Sequence, residues 1–594
     1  MPASSPISSP RPIPSPGLAA TPSAVGQEWV ERTLAALTLH EKIGQLLMPW
    51  VGGEYVALDS PEFDRIRAWV EEDGVGGLIL SMGLPHSYAA KLNAAQERAA
   101  VPLLVASDME NGAGMRLARS YALPTLLTQG GATVFPPLMA FGATGDETLA
   151  ERLGEVMGRE ARAVGVHMTF GPVLDVNSNP ANPIINTRSF GEDPEAVARH
   201  GRAYIRGARA AGLMTTGKHF PGHGDTDTDS HIELPTIGVD RAALDAVHLP
   251  PFRAAIDEGV DGIMTAHIAV VGVEGPDAPP ATLSPYFMTD VLRNELCFDG
   301  LLFTDALNMG GVANRYGAAE SAVLALEAGA DVLLYPIDVR GAAEAVADAV
   351  VSGRIKEARI DRSVRRLLSA KARAGLHEER LVALDAVDRA VGVRAHHAFA
   401  REVAERSLTL ARDADGLVPI PAAARRVLSI TYAEADDLLA GRVFDGVLSA
   451  AATDGVGRTV ASIRADARTM PHEIEALRAQ AEDADLVVVS MYVSPRNYQG
   501  SVAAEGAFSR FVEALAASGT PTVVVSFGSP YLLSGFPSVS TYLLAWGGEE
   551  VSQRAAARAL LGAAAIGCRL PISLPPFHEA GEGLARPAVL DLPL

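Results

Sequence analysis

The chain is poor in the residues that build disulfide-rich, membrane-spanning or nucleic-acid-binding proteins. Its 594 residues include only two cysteines, Cys297 and Cys568, which lie far apart and imply no disulfide framework. No apolar run is long enough to span a bilayer. Positive charge is also scarce, because the chain has 50 lysines and arginines against 71 aspartates and glutamates, which gives a net charge of −21. This charge balance argues against nucleic acid or an anionic membrane surface as the main partner.

The composition and length favour a soluble α/β protein with more than one domain. Aromatic residues make up only 6% of the chain and apolar residues nearly half of it. Residues 1–25 are rich in proline and serine and lack an apolar signal-peptide core, so we expect a disordered leader and a cytoplasmic protein. An export signal remains open if the N-terminus is incomplete. We expect a catalytic domain at 26–380, a helical connection at 381–405 and a second domain at 406–594.

Eight short apolar runs, separated by amphipathic stretches, predict a parallel sheet in the first domain. Eight such units favour closure into a (β/α)₈ barrel, with an open doubly wound sheet as the alternative. The runs are Gln45–Val51, Gly76–Ser81, Leu103–Asp108, Val166–Pro172, Thr215–Phe220, Gly262–Ile268, Leu301–Ala306 and Asp331–Pro336. The predicted helices include Thr148–Val164, Pro194–Ala211, Leu244–Glu258 and Ala318–Ala328.

A second α/β pattern predicts an open sandwich domain with five strands and helices on both faces. No phosphate-binding glycine fingerprint follows its first strand, so neither a nucleotide nor another cofactor is expected. The strand-like runs are Ser407–Arg412, Arg426–Tyr432, Asp485–Tyr492, Pro521–Phe527 and Thr541–Trp546, and the helices are Glu473–Ala484 and Phe508–Ser518.

Polar residues stand where the barrel strands end. A barrel of this kind places its active site at the C-terminal ends of its strands, so these side chains should meet there. They are Ser81, Asp108, Asp175, Lys218, His219, His267 and Asp305. For Asp175 we also expect the ordinary role of a helix N-cap.

The segment Lys218–His231, KHFPGHGDTDTDSH, has the highest density of titratable residues. His219 and His223 have the spacing of a zinc-binding HExxH pair, but Pro221 and Gly222 exclude the helix that such a pair requires. The alternating aspartates imitate a calcium loop, but Ser230 and Thr236 occupy the positions that need glycine and glutamate. We therefore expect no metal and interpret the segment as part of an active site.

Four segments resemble glycoside hydrolase family 3, and in particular its bacterial β-N-acetylglucosaminidase branch with two domains. The match continues into Ser407–Pro419 and Val523–Pro575 and covers nearly everything after residue 28. The four segments are Lys218–His231 followed by Pro235, Phe303–Met309 (FTDALNM), Asn186–Gly191 (NTRSFG) and Asp108–Gly112 (DMENG) with Arg116 beyond it.

The resemblance implies a retaining β-N-acetylglucosaminidase that removes terminal N-acetylglucosamine by double displacement. Asp305 would be the nucleophile, His231 the general acid and base, and Asp229 the group that orients the His231 imidazole. Elsewhere in the family the acid is usually a glutamate of the second domain, so here that domain need not be catalytic. Asn111 replaces a glycine of the branch and is expected in a left-handed turn position. The sugar would be bound by Asp108, Arg116, Arg188, Lys218 and His219.

Other functions stay open at this point. Lys218 at a strand end is also what a Schiff-base lyase uses, and a sugar-binding or structural protein can share the fold. Phosphorolysis is a third alternative, because a neutral histidine repels phosphate less than a glutamate would. A β-glucosidase of the same family is a fourth. The aglycone (cell-wall muropeptide, chitin fragment or another) and the oligomeric state are not determined.

Overall fold

A barrel of eight parallel strands is followed by a second, mixed sheet. The computed structural model describes residues 17, 21–117, 120–122, 127–230, 232–451, 457–495, 502–504 and 506–590. Most of the predicted leader lies outside these residues, and a helix begins at Ala24 within its last two positions.

The eight predicted strands of the first domain are all present. The first consists of two short pieces separated by Pro49. They are β1 (Leu47–Met48 and Trp50–Val51), β2 (Gly77–Leu80), β3 (Leu104–Ser107), β4 (Met168–Thr169), β5 (Met214–Phe220), β6 (Gly262–Thr265), β7 (Leu301–Phe303) and β8 (Leu333–Leu334).

These strands close into a ring, which confirms the predicted barrel. Strands β1 to β7 are neighbours in chain order, and every ladder between them is parallel. Strand β8 pairs with the first piece of β1, with Leu47 opposite Leu333. A parallel bridge between Phe303 and Val332 joins β7 to β8. The first piece of β1 pairs with β8 and the second piece pairs with β2. The described sheet is therefore closed, with no open edge between β8 and β1.

Helices cover the outside of the ring, and their first residues explain where several of them begin. The Asp193 carboxylate caps one helix by accepting hydrogen bonds from the N–H groups of Glu195 and Ala196, with Pro194 at the first helical position. Helices of the first domain are Ala24–Ala36, Leu39–Gln45, Pro61–Glu71, Pro85–Arg98, Leu138–Thr144, Glu147–Ala163, Pro194–Ala210, Arg241–Ala243, Leu249–Glu258, Val271–Glu274, Gly310–Tyr316, Ala318–Ala328, Val339–Val351 and Glu357–Arg373. Leu244–His248 and Tyr286–Glu295 are π-helical, and Ala113–Met115, Asn186–Arg188 and Ala281–Leu283 are 3₁₀ turns.

The barrel interior is filled by apolar side chains, so it is a packed core and not a pore. Phe170 and Phe303 meet edge to face with ring centroids 5.7 Å apart. The methionines Met48, Met168 and Met264 belong to the same cluster. Polar groups are thereby confined to the rim, where the strands end.

The described part of the second domain contains six strands, one more than predicted. They are β9 (Thr409–Asp413), β10 (Arg426–Ala433), β11 (Thr459–Ala465), β12 (Leu486–Tyr492), β13 (Thr522–Ser526) and β14 (Thr541–Leu544). Their spatial order is β9, β14, β13, β12, β10, β11, and only β9 runs antiparallel to its neighbour. The missed strand, β11, lies at the edge with most of its side chains exposed, so it lacks the apolar run that marks a buried strand.

Helices flank this sheet on both faces, as expected for an open sandwich. The helices Leu384–Ala390 and Arg394–Ser407 connect it to the barrel. Its own helices are Arg442–Ala451, Pro471–Glu482, Gly506–Ala517 and Glu550–Leu560, with a 3₁₀ turn at Pro530–Gly535. Within the described part of the chain, no helix combines the length and apolarity needed to cross a membrane.

Candidate active site

A cleft of about 440 Å³ opens at the C-terminal ends of the barrel strands. Six of the eight predicted site residues line it: Asp108, Arg116, Arg188, Lys218, His219 and Asp305. A second cavity, of about 340 Å³, lies at the opposite end of the barrel. None of the predicted site residues lines that second cavity, and its Arg366 and Arg373 pair with Asp299 and Asp261. The first cleft is therefore the candidate active site.

An ionic cluster forms one wall of this cleft. Strand β5 is buried along its whole length, and its Lys218 ammonium contacts Asp108 and Glu110, each at 2.8 Å. Arg188 donates two hydrogen bonds to the Glu110 carboxylate, at 2.7 and 3.0 Å. Arg116 lies 3.4 Å from the Asp108 carboxylate. Arg116, Arg188 and Lys218 thus form a network of ion pairs with Asp108 and Glu110 at the rim of the barrel.

The cluster keeps its charges despite its burial. Burial alone would lower the pKa of Lys218, but Asp108 and Glu110 outweigh it and hold that pKa above its ordinary value. Burial would likewise raise the pKa of Glu110, yet Arg188 and Lys218 hold it well below the usual range. Lys218 is therefore an ammonium ion and Glu110 a carboxylate at neutral pH.

Replacing Glu110 with alanine should lower the free energy of unfolding by about 3–5 kcal/mol, because Lys218 would lose one of two partners and Arg188 its only carboxylate partner in the cluster. Urea unfolding measures this loss. The matched control is Asp385→Ala, which breaks an exposed helical ion pair with Arg389 and should cost no more than about 1 kcal/mol. Equal losses in the two variants would contradict the structural role of Glu110.

A second network surrounds a fully buried aspartate. Asp175 accepts a hydrogen bond from the His219 ring at 2.7 Å, and others from the backbone N–H groups of His219 and His223. Burial favours the neutral acid, but these partners outweigh it and hold the pKa of Asp175 below its ordinary value. No helix begins at Asp175, so the predicted helix N-cap is wrong. The residue instead fixes the orientation of the His219 ring beside the cleft.

His223 stabilises the segment that follows β5 through hydrogen bonds to Thr226 and Ser230. The Thr226 hydroxyl donates its one proton to the His223 carbonyl at 3.1 Å, so His223 Nδ1, 2.8 Å from the same hydroxyl oxygen, carries a hydrogen. Nε2 of the neutral ring then accepts a hydrogen bond from the Ser230 hydroxyl at 3.1 Å. Burial lowers the pKa of His223 to about 4, which agrees with the neutral form.

His223 should make the fold sensitive to acid. Its folded pKa, about 4, lies below the ordinary value of 6.5, so this contribution to stability is complete above pH 6.5 and is lost as the pH falls toward 4. The loss amounts to roughly 3 kcal/mol at most. The stability advantage of the wild type over His223→Gln should therefore shrink between pH 6.5 and 4, as thermal unfolding at a series of pH values would show. An advantage that is constant with pH would contradict the neutral, buried ring.

Asp305 is the second residue after the end of β7 and lies half-buried in the cleft wall. One of its carboxylate oxygens accepts the N–H of Ala306 at 2.8 Å. The buried ring of His267 holds the same turn, because its Nε2–H donates to the Ala306 carbonyl at 3.0 Å. The Asp305 charge is close enough to His223 to favour protonation of that ring. Both contacts involve Ala306, the residue after Asp305, so they fix the turn that places the carboxylate at the cleft.

The remaining predicted residues lie on the same segment as His223. Asp229 is buried, and its neighbour Ser230 lines the cleft. The Ser230 carbonyl accepts the N–H of Gly311 at 3.2 Å, which ties the segment to the turn after Asp305. His231 lies outside the described residues. An apolar wall completes the cleft, where Trp50 and Tyr335 stack with centroids 5.7 Å apart.

Two residues of the site were missed by the sequence reasoning. Glu110 was noticed only as part of a turn, although its carboxylate joins Lys218 to Arg188. Its position two residues after Asp108 was the available signal. His223 was considered only as a metal ligand. The expectation for Asn111 is wrong, because Gly112 has the positive φ of 115° and Asn111 does not. The Asn111 side chain instead donates to the Phe135 carbonyl at 2.9 Å.

Metal binding has no built site in the described part of the chain, where no three His, Cys, Asp or Glu side chains are arranged to hold an ion. Asp175 Oδ2 and His219 Nδ1 are hydrogen-bonded to each other, and both ring nitrogens of His223 are hydrogen-bonded to hydroxyl groups.

Known proteins share both the sequence and the fold. The chain is 30% identical over 564 residues to a β-N-acetylglucosaminidase/β-glucosidase of Cellulomonas fimi, which covers 92% of this chain and 96% of the relative. It is 37% identical over 269 residues to a β-hexosaminidase of Nitrosospira multiformis, 44% of this chain and 73% of that relative.

Solved structures of two similar proteins share the two-domain fold of this chain. A family 3 β-N-acetylglucosaminidase from Paenibacillus sp. str. FPU-7 superposes with a TM-score of 0.79 at 35% identity, covering 91% of this chain and 99% of that one. The β-glucoside phosphorylase BglX superposes with a TM-score of 0.82 at 27% identity, covering 93% and 97%. The model of the glycosyl hydrolase family 3 N terminal domain matches residues 38–370, and that of the C-terminal domain matches residues 408–585. The chain therefore belongs to glycosyl hydrolase family 3, as its resemblance in sequence indicated.

Proposed function

We propose that the protein hydrolyses terminal β-linked N-acetylglucosamine with retention of configuration. The observation that carries this proposal is that Asp305 and the segment ending in Asp229 and Ser230 meet at one cleft, beside a cluster of charged hydrogen-bonding groups. Nucleophile, acid and sugar-binding groups are the three parts that a retaining glycosidase needs. The relatives whose names include N-acetylglucosaminidase or hexosaminidase support the choice of sugar.

The reaction divides between two groups. Asp305 attacks the anomeric carbon and forms a covalent glycosyl-enzyme, while His231 gives its proton to the departing oxygen. His231 then takes a proton from water, and the resulting hydroxide releases the sugar from Asp305. The buried Asp229 favours the protonated imidazole before the first step and fixes its tautomer.

The ionic cluster binds the sugar in this account. Asp108, whose side chain is 31% exposed, accepts hydrogen bonds from hydroxyl groups, and Arg116 and Arg188 donate to them. Lys218 and His219 donate from the end of β5. Charged partners make stronger hydrogen bonds than neutral ones, and here they are already aligned before substrate arrives.

The Schiff-base alternative requires a neutral lysine amine as nucleophile. The raised pKa of Lys218 leaves it protonated and committed to Asp108 and Glu110. This argues against lyase chemistry at the only lysine that lines the described part of the cleft.

A panel of p-nitrophenyl β-glycosides, assayed with and without phosphate, tests the proposal. The N-acetylglucosaminide should be cleaved faster than the glucoside, and free N-acetylglucosamine should dominate in millimolar phosphate. A glucoside preference would indicate a β-glucosidase of the same family. Failure to cleave any member of the panel would contradict glycosidase activity.

Phosphorolysis is the second candidate. The superposition on a β-glucoside phosphorylase favours it, and so does a neutral histidine as base, because a carboxylate there would repel phosphate. Hydrolysis ranks first because the cations that line the cleft are already paired with carboxylates. Arg116, Arg188 and Lys218 pair with Asp108 or Glu110, so the described part of the cleft contains no unpaired cationic site for phosphate. A sugar 1-phosphate as main product, at a rate that rises with phosphate, would reverse this ranking.

A further inference from the structure

The segment that carries Arg188 has almost no regular structure of its own. It runs from the end of β4 to the helix Pro194–Ala210, and its only regular element is the single 3₁₀ turn Asn186–Arg188. Its backbone is held by local hydrogen bonds, such as those that the N–H groups of Ile184 and Ile185 donate to the Asn182 side chain, and by contacts with the rest of the molecule. The contacts of this segment are divided between the barrel and the second domain.

The first contact with the second domain is at Asn186. This residue is buried and has a φ of 43°, a left-handed conformation that non-glycine residues rarely adopt. Its side-chain oxygen accepts the N–H of Thr187 at 2.9 Å, and its amide donates to the Ser529 hydroxyl at 3.2 Å. Ser529 is itself buried just beyond β13, with its N–H donated to the Val493 carbonyl. The strained turn before Arg188 is therefore held by the second domain.

Two more contacts flank Arg188. The Glu192 carboxylate accepts hydrogen bonds from the backbone N–H and the hydroxyl of Ser573, at 2.8 and 2.7 Å. The Glu192 N–H donates to the Pro571 carbonyl at 3.1 Å. Nearer β4, the Asn177 amide donates to the Tyr531 hydroxyl at 2.6 Å. The second domain thus forms hydrogen bonds with the segment at three residues, Asn177, Asn186 and Glu192.

The barrel side completes the arrangement. Asn182 donates to the His223 carbonyl at 2.8 Å, which links the segment to the one that carries Asp229. Arg188 reaches Glu110 at the centre of the ionic cluster. The Arg188 guanidinium is therefore fixed at one end by the Glu110 carboxylate and at the other by a backbone turn that contacts the second domain.

We propose that the second domain is a positioning part of the sugar site, with Ser529 as the residue that presets Arg188. The inference rests on the proposed function for its assignment of Arg188 to the sugar. In the described part of the chain, Pro495 is the only residue of the second domain that lines the cleft. The domain acts by holding the turn whose displacement would move the guanidinium. Ser529 is a positioning residue and acts through Asn186.

A double-mutant cycle tests this inference in the full-length enzyme. Ser529→Ala should raise KM by about five- to tenfold, the effect of losing one hydrogen bond, and change kcat by less than twofold. In an Arg188→Ala background the same substitution should change KM by less than twofold, because the group it positions is gone. Ser529→Thr, which keeps the hydroxyl, should restore KM. Ser534→Ala is the matched control, because Ser534 lies in the 3₁₀ turn that Ser529 caps, is exposed, and donates to the Tyr531 carbonyl within that turn.

A readout without substrate separates this inference from the proposed function. The Nε–H resonance of Arg188, assigned by its absence in Arg188→Lys, should shift in Ser529→Ala and not in Ser534→Ala. An unchanged resonance, or an equal KM effect with and without Arg188, would overturn the positioning role. If the wild type cleaves no glycoside while the resonance shifts as expected, the proposed function fails and the positioning stands.

Discussion

Asp305→Asn should reduce turnover on the order of 10⁴-fold or more while leaving the affinity for N-acetylglucosamine nearly unchanged. The amide is isosteric with the carboxylate but cannot attack the anomeric carbon, so the covalent intermediate does not form. The sugar should still bind because its partners in the ionic cluster are untouched. Steady-state rates on the p-nitrophenyl glycoside and calorimetric binding of the free sugar measure the two effects.

Asp338→Asn is the matched control for this substitution. Asp338 is exposed shortly after β8, at the same end of the barrel, and does not line the cleft. It should retain the full rate. An Asp305→Asn enzyme that kept a tenth of the wild-type rate would remove Asp305 from the role of nucleophile.

His231→Ala should slow substrates with poor leaving groups on the order of 10²–10⁴-fold, the usual worth of general acid catalysis. Aryl glycosides with acidic phenols should lose much less in the first step, because their leaving oxygen departs without a proton. The ratio of kcat/KM for p-nitrophenyl and methyl N-acetylglucosaminides, measured in both enzymes, isolates the first step. Equal losses on the two substrates would exclude His231 as the acid.

Asp229→Asn provides the companion measurement for the pair. If Asp229 favours the protonated imidazole, the asparagine variant should move the basic limb of the pH–rate profile to lower pH. His223→Gln should leave that limb in place, because His223 is already neutral well above its pKa of about 4. A basic limb that is unaffected by Asp229→Asn would reduce Asp229 to a structural role.

The fold was largely predictable because barrel strands and helices leave different periodicities. Seven of the eight strands lie inside the predicted apolar runs, and β5 begins at Met214, one residue before its run. The agreement arises because strands buried on both faces are almost continuously apolar. The helix Ala318–Ala328 was predicted to the residue. The exposed edge strand Thr459–Ala465 was missed for the converse reason, because no burial selects apolar side chains there.

The placement of the candidate residues in one cleft was largely predictable, but the contacts between their side chains were not. The rule that barrel strands carry function at their C-terminal ends brought Asp108, Lys218 and Asp305 together correctly in one cleft. No sequence pattern shows that Glu110 bridges two cations, or that Asp175 is buried beneath two histidines. Those facts depend on side-chain directions that only the closed barrel determines.

The contribution of the second domain was also invisible in the sequence. Ser529 and Ser573 stand in apolar or proline-rich surroundings and carry no motif of their own. Their partners, Asn186 and Glu192, lie several hundred residues earlier in the chain. Contacts at that separation follow from how the two domains dock and not from any local preference of the chain.

The anomeric form of the first-released sugar tests the central claim most directly. Double displacement through Asp305 inverts the anomeric carbon twice, so a β-linked N-acetylglucosaminide should first release the β-anomer. Proton NMR spectra recorded faster than mutarotation would show the β signal rising before the α signal. If the α-anomer appears first, water attacks the substrate directly, and the assignment of Asp305 as a covalent nucleophile is wrong.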